Sequence, residues 1–223
     1  MNFSVIIPTY NESNALNFAL IELLNSINYL SEVEIILSDG GSQDDSLEQA
    51  RQFPVNIINS QKGRALQMNT AANQAMGEWL VFLHADTRLP EDWMTLIKQS
   101  KTPWGRFDLH LSGRHWMFRV IEKAINFRSR KTKVATGDQV IFFKRDFFTQ
   151  LGGFPEIPLM EDIAICKAAR KLYNPSCIDH PVITSSRRWE KNGIIQTILL
   201  MWLLRFAFWV GIKPETLHRV YYP

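Results

Sequence analysis

The chain has 223 residues, 46% of them apolar and 21% charged, which is enough for one full hydrophobic core and too apolar for a disordered segment. A formal net charge of +3 is too small to favour nucleic acid as a partner. The charge is polarised, with eight acids and no Lys or Arg in residues 1–50 and eleven cations against four acids in residues 101–150, so one half suits a cation and the other an anion.

In chain order, Phe3–Ile7 is a β-rich apolar run stopped by Pro8 and reads as a first strand, not as a signal peptide. Leu16, Leu20, Leu23, Leu24 and Ile27 then recur at helical spacing within residues 13–30. Glu34–Ser38 reads as a second strand ended by Asp39-Gly40-Gly41-Ser42, and Asp44 or Asp45 is placed to cap a helix running to Phe53. Val55–Ile58 is a third strand, Gly63–Met76 a helix closed by Gly77, and Trp79–Leu83 a fourth strand, with Pro90 starting the helix that follows Asp86. This alternation predicts βαβ units and a parallel sheet, with ligands beyond the carboxyl ends of the strands. Later, strands are expected near 104–111 and 138–143, and helices near 144–151, 161–172 and 192–210. Cys166 and Cys177 are the two cysteines, which excludes a disulfide framework or a cysteine-rich zinc site and favours a reducing, cytoplasmic setting.

A parallel sheet with an acid ending its second strand also suggests a dinucleotide fold, but that needs GxGxxG after the first strand. Pro8-Thr9-Tyr10-Asn11-Glu12 stands there and would obstruct a pyrophosphate. The motifs instead resemble family 2 glycosyltransferases of the GT-A fold. Pro8–Glu12, Asp39-Gly40-Gly41-Ser42, Lys62-Gly63-Arg64, His84-Ala85-Asp86 and Glu161-Asp162 after Gly152-Gly153-Phe154 follow one another in that family's order. Finer details, including Gln67-Met68-Asn69 and Arg187-Arg188-Trp189, resemble a small bacterial subgroup associated with arsenosugar synthesis.

The resemblance implies an α/β domain with a mainly parallel central sheet flanked by helices, spanning residues 1–190. It implies a nucleotide-sugar donor, UDP-type favoured, held by Pro8, Tyr10, Glu12, Asp39, Gly40, Lys62, Arg64 and Ala85. Asp86 would hold Mn²⁺ or Mg²⁺ against the diphosphate, and Asp162 would take the acceptor's proton in a single inverting displacement. His84, Gly137, Asp138, Glu161, Arg188 and Trp189 would line the sugar and a small-molecule or lipid-linked acceptor. Residues 39, 86 and 162 are thereby expected around one cleft.

Each residue also has a plainer reading. Asp39-Gly40 is ordinary turn chemistry. Arg64 is equally a surface cation beside Lys62, and Glu161-Asp162 a helix-start acid pair. His84 stands where the family commonly has a first Asp, and is either a metal ligand or a packed side chain. Gly137-Asp138 also suits a strand-start turn, Arg187-Arg188-Trp189 a solvated basic turn, and Gln67 and Asn69 a solvent-facing helix side. Residues 191–223 form an apolar helix and tail. Its run 194–212 needs cover from the same domain, a dimer partner or the surface of the inner face of the cell membrane. Arg205 near its middle disfavours a crossing, at a cost of about 2.5–3.5 kcal/mol.

Overall fold

The computed structural model describes residues 1–27 and 30–222. Strand β1 (Phe3–Thr9) is buried along almost its whole length, as befits a strand covered on both faces. It pairs in parallel with β2 (Val33–Asp39) and β4 (Trp79–Phe82), with Val5 opposite both Ile35 and Val81. Strand β3 (Asn56–Asn59) extends the parallel set at one edge. Alternation sorts the side chains. Phe3, Val5 and Ile7 pack towards Leu16 and Leu20 of helix α1 (Ser13–Asn25), whereas Ile6 and Leu80 pack towards Ala65, Met68 and Ala71 of α3 (Arg64–Gln74). The predicted helix over 13–30 thus ends at Asn25, and its positions 28 and 29 lie outside the described residues.

Helix α2 (Ser46–Ala50) stops short of Phe53, and Asp44 does not serve it alone. Its carboxylate also accepts from the backbone N–H of Ser13, closing the start of α1, which has no side-chain cap of its own. Loss of hydration raises its pKa, but the hydrogen bonds from Ser46 and Ser13 together outweigh this and pull it down to about 2.

The second half departs from the expected mainly parallel sheet. The strand order is β3-β2-β1-β4-β7-β6-β8-β5, with β5 (Thr87–Arg88), β6 (Trp104–Leu111), β7 (Ile141–Lys144) and β8 (Ser176–Thr184). Strand β7 runs antiparallel to both β4 and β6, and β5 antiparallel to β8, while β6 and β8 are parallel. The sheet is mixed because β7 slots between two strands that precede it in the chain. The expected strand 138–143 begins only at Ile141; Gly137–Gln139 is instead a 3₁₀ turn closed by a Thr136–Gln139 capping box.

Helix α4 (Trp93–Lys98) starts beyond Pro90, α6 spans Arg145–Gln150 and α7 spans Glu161–Ala169. Helix α5 (Trp116–Thr132) covers the sheet with Phe118 and Ile121, and its buried Glu122 accepts the backbone N–H of Leu111 at 2.6 Å. The chain closes with α8 (Arg187–Asn192), α9 (Ile194–Trp209) and α10 (Pro214–Tyr221). Gly193, at φ 84°, supplies the left-handed backbone that turns α8 into α9. Leu204, Ala207 and Leu217 bury one side of this segment against the domain. Among the described residues no helix is long and apolar enough to cross a membrane.

Candidate functional site

The carboxyl ends of β1, β2 and β4 share one edge of the sheet. Hydrogen bonds fasten the loops that leave it. Gln67 on α3 is buried, not solvent-facing as expected, and donates through Nε2 to the carbonyls of Thr9 (2.7 Å) and Ser38 (2.8 Å). Gly40 follows immediately, and a Cβ there would sit only 3.1 Å from the Gln67 side chain. Asn69 also turns inward, accepting from Phe154 N–H and donating to Phe154 C=O, which pins the Gly152-Gly153-Phe154 turn to α3. Both are braces, a role that single polar residues on a helix do not announce.

Beyond this edge lies a cavity of about 240 Å³, lined among others by Arg64, His84, Asp86, Asp138, Glu161 and Asp162. Gly137, Arg188 and Trp189 complete its rim. A contiguous cavity is lined by Pro8, Glu12, Arg64, Ala85, Asp86 and Arg188, so Asp86 and Arg64 stand on the partition between the two. The sequence-derived residues therefore converge, with four exceptions, since Asp39, Gly40, Tyr10 and Lys62 line neither cavity. Asp39 is 2% exposed, and its carboxylate accepts the N–H groups of Gly41 (2.9 Å) and Ser42 (3.0 Å). It shapes its own turn at the same sheet edge, outside both cavities, so the expected common cleft of residues 39, 86 and 162 holds for the last two alone. Tyr10 and Lys62 also stand apart, paired with each other through Lys62 Nζ 3.9 Å above the Tyr10 ring.

Two residues at the site carry no local sequence signal. Tyr221 lines the first cavity and Tyr222 the second, delivered by α10 from the end of the chain. The Arg188 guanidinium stacks 4.0 Å from the centre of the Tyr221 ring and donates to its hydroxyl. Only the amphipathic spacing around Leu217 hints that α10 would pack back on the domain.

Asp162 Oδ2 accepts Gly137 N–H at 2.9 Å, and Oδ1 accepts the N–H of Ile163 at 2.6 Å. Burial, followed by the adjacent Glu161 charge, pushes its pKa up to about 6 despite those bonds. Asp138 is raised by burial and by Asp162, and its Oδ1 has no hydrogen-bond partner among the described residues. Glu12 is raised by burial and then by Asp86. Glu161, 5% exposed at its side chain, pairs with Arg64 at 3.8 Å. His84 is held neutral, well below the ordinary imidazole value, by burial and by the Arg64 charge.

The imidazole rests on Gly137. A Cβ there would lie 2.5 Å from His84 Nε2 and 2.7 Å from Cε1. Gly137→Ala is expected to lower stability by about 1–3 kcal/mol, as overpacking does, read as a drop in melting temperature. An unchanged melt would show that the ring moves aside freely.

The two cavities gather five carboxylates, Glu12, Asp86, Asp138, Glu161 and Asp162, against five Lys or Arg, so net charge alone does not call for a cation. Among the described residues no three His, Cys, Asp or Glu side chains converge to ligate one. The exposed Asp86 is a single carboxylate of the kind that could hold Mg²⁺ or Mn²⁺, ions that take few protein ligands.

Residues 4–148 match the family model for glycosyl transferase family 2. The chain belongs to that family. This family 2 chain is similar to glycosyltransferase AglE of Haloferax volcanii, 34% identical over 98 residues that cover 41% of this chain and 32% of the relative. It is also similar to an undecaprenyl-phosphate 4-deoxy-4-formamido-L-arabinose transferase of Photorhabdus laumondii, 34% identical over 108 residues, 44% of this chain and 33% of the relative. The chain spans about a third of the length of these curated relatives. In fold it resembles S. aureus TarS in complex with UDP-GlcNAc, with TM-score 0.69 and 19% identity over 83% of this chain and 58% of that one. It also resembles the mannosyltransferase PcManGT of Pyrobaculum calidifontis in complex with GDP-Man and Mn²⁺, with TM-score 0.64 and 23% identity over 82% of this chain and 56% of that one. The fold is GT-A.

Proposed function

We propose that this chain transfers a sugar from a nucleotide-diphosphate donor, UDP-type favoured, to an acceptor hydroxyl with inversion at the anomeric carbon. The observation that carries this reading is that Asp86 and Asp162 face one cavity at the sheet's carboxyl edge, beside Arg64 and Arg188. Asp86 would hold Mn²⁺ or Mg²⁺, whose charge would offset that of the departing diphosphate. Arg64 and Arg188 flank the phosphate position, and Asp162 receives the proton of the attacking hydroxyl. Asp138, with its unpartnered carboxylate oxygen, is suited to a sugar or acceptor hydroxyl.

The nucleoside is assigned to the loops of Pro8–Glu12 and Asp39-Gly40, with Lys62 and Tyr10 at their rim and Ala85 beside Asp86. Asp39, whose two oxygens accept from the Gly41-Ser42 turn, is assigned to a base N–H through its remaining lone pairs. The narrower resemblance to the arsenosugar-associated subgroup belongs to the same proposal and leaves the acceptor open. A polyprenyl-phosphate acceptor is the second reading. It is favoured by the wall that Met201 and Leu204 of α9 give the cavity and by the Photorhabdus relative.

A thermal-shift panel of nucleotides and nucleotide sugars, each with and without Mn²⁺, tests the proposal. Stabilisation grows as RT ln(1 + [L]/Kd), about 2.7 kcal/mol at a hundredfold excess over Kd. A Mn²⁺-dependent rise with a diphosphate nucleotide and none with its nucleoside is expected. No response to any nucleotide sugar would overturn the reading.

A further inference from the structure

Helix α9 is apolar apart from Gln196, Thr197 and Arg205, and its own domain covers one side of it. Thr197, Leu204 and Ala207 are buried, and Met201 and Leu204 face the cavity. On the opposite side Ile195, Leu199, Trp202, Leu203, Phe206 and Trp209 are each between 59% and 73% exposed. At 100° per residue these six positions fall within an arc of about 120°, forming one continuous stripe. A stripe of this size on a soluble surface marks an interaction face.

Its surroundings select the occupant. Helix α9 contains no acid, Lys191 precedes it and Lys213 follows it, and Arg205 lies on its flank. Residues 187–222 carry six Lys or Arg against two Glu, a net of +4. A two-fold pair of copies would set one such segment against another and repel. A surface of lipid phosphates attracts the same cations and takes the exposed indoles of Trp202 and Trp209 at headgroup depth. Among the described residues no helix suffices to cross the bilayer, which leaves α9 lying in its plane.

We propose that the outer face of α9 docks the protein on the headgroup layer of an anionic bilayer. The docking holds whether or not the neighbouring cavity transfers a sugar, because no residue of the exposed stripe lines that cavity.

Flotation of the full chain with phosphatidylcholine vesicles, with and without phosphatidylglycerol, tests this. Binding to the phosphatidylglycerol vesicles is expected. Trp202→Glu with Trp209→Glu should weaken it by about tenfold or more, two interfacial rings having become anions beside lipid phosphates. Lys213→Gln should weaken it by about fivefold on anionic vesicles only. These side chains are exposed, so melting should be preserved; if the double variant fails to fold, Leu203→Asn on the same face replaces it. Absence of binding by the unaltered chain, or binding that none of the stripe variants weakens, overturns the proposal. So does a dimer in sedimentation that the Trp variants split while vesicles capture nothing, since that outcome assigns the stripe to a second copy.

Discussion

Asp162→Asn is expected to lower the transfer rate by about 10²–10⁴-fold, the usual contribution of a positioned general base, and to leave nucleotide affinity near its original value. The side chain is held from two directions, by Gly137 N–H and by Ile163 N–H. This fixes the carboxylate plane and leaves its remaining lone pairs for an incoming hydroxyl. Asparagine keeps the volume but has one acceptor oxygen, so one of the two N–H groups loses its partner, at about 1 kcal/mol. Steady-state rates together with a nucleotide titration separate the outcomes. Equal loss of turnover and of nucleotide binding would remove Asp162 from the base role.

The same carboxylate gives the substitution a pH signature. Burial and the neighbouring Glu161 charge raise its folded pKa to about 6, from an ordinary value of 3.8. Between those values the folded state binds the proton that the unfolded chain releases, so stability falls as pH rises through that window and stays lower above it. The Asn variant lacks this fall. Its stability relative to the unaltered protein should therefore improve on going from about pH 4 to about pH 7. The rate moves oppositely, because a base must be deprotonated, and kcat/KM should decline below about pH 6. Asp138, raised by burial and in smaller part by the Asp162 charge, sits in the same site.

The first half of the fold was legible because each element there declares itself locally. Apolar runs such as Phe3–Ile7 end at Pro or Gly, and α1 and α3 carry their core residues at helical spacing. In the second half β6, α6, α7 and α9 fall where expected, whereas α5, β8 and the strand order were not foreseen. Helix α5 is rich in cations and buries Glu122 and Ser129 beside Phe118 and Ile121, which blurs its apolar side, and β8 is interrupted by Pro181 where its register with β6 shifts between Phe107 and Asp108. The insertion of β7 between β4 and β6 is decided by long-range packing, including Trp104 stacked 5.9 Å from Phe143, which leaves no local pattern. At the site, chain order was enough to bring His84, Asp86, Asp138 and Asp162 together. It could not foresee that Asp39 would spend its oxygens on its own turn, or that Tyr221 and Tyr222 would return from the last helix to the cavity walls. Sequence spacing reports which strand end a residue leaves from, whereas side-chain direction depends on partners far along the chain.

Asp86→Asn should abolish the Mn²⁺-dependent part of nucleotide-diphosphate binding and reduce transfer by about 10²–10³-fold, the scale of losing one preorganised electrostatic contact to a developing oxyanion. The exposure of each carboxylate is the reason. Asp86 is exposed on the partition between the two cavities, whereas the neighbouring Glu12 and Asp138 are held towards their protonated forms. A cation recruited there needs an oxygen ligand that is not buried, and Asp86 is placed to be it. The substitution has a second readout that needs neither metal nor substrate. Burial raises the pKa of Glu12 first and the Asp86 charge raises it further, so neutralising residue 86 should return Glu12 part of the way towards 4.5. An NMR titration of the Glu12 carboxyl in the two proteins measures that shift. A variant in which Glu12 titrates unchanged would show that the two carboxylates do not share one electrostatic site. If Mn²⁺ still enhanced nucleotide binding by the same factor, the ion would have to be held elsewhere.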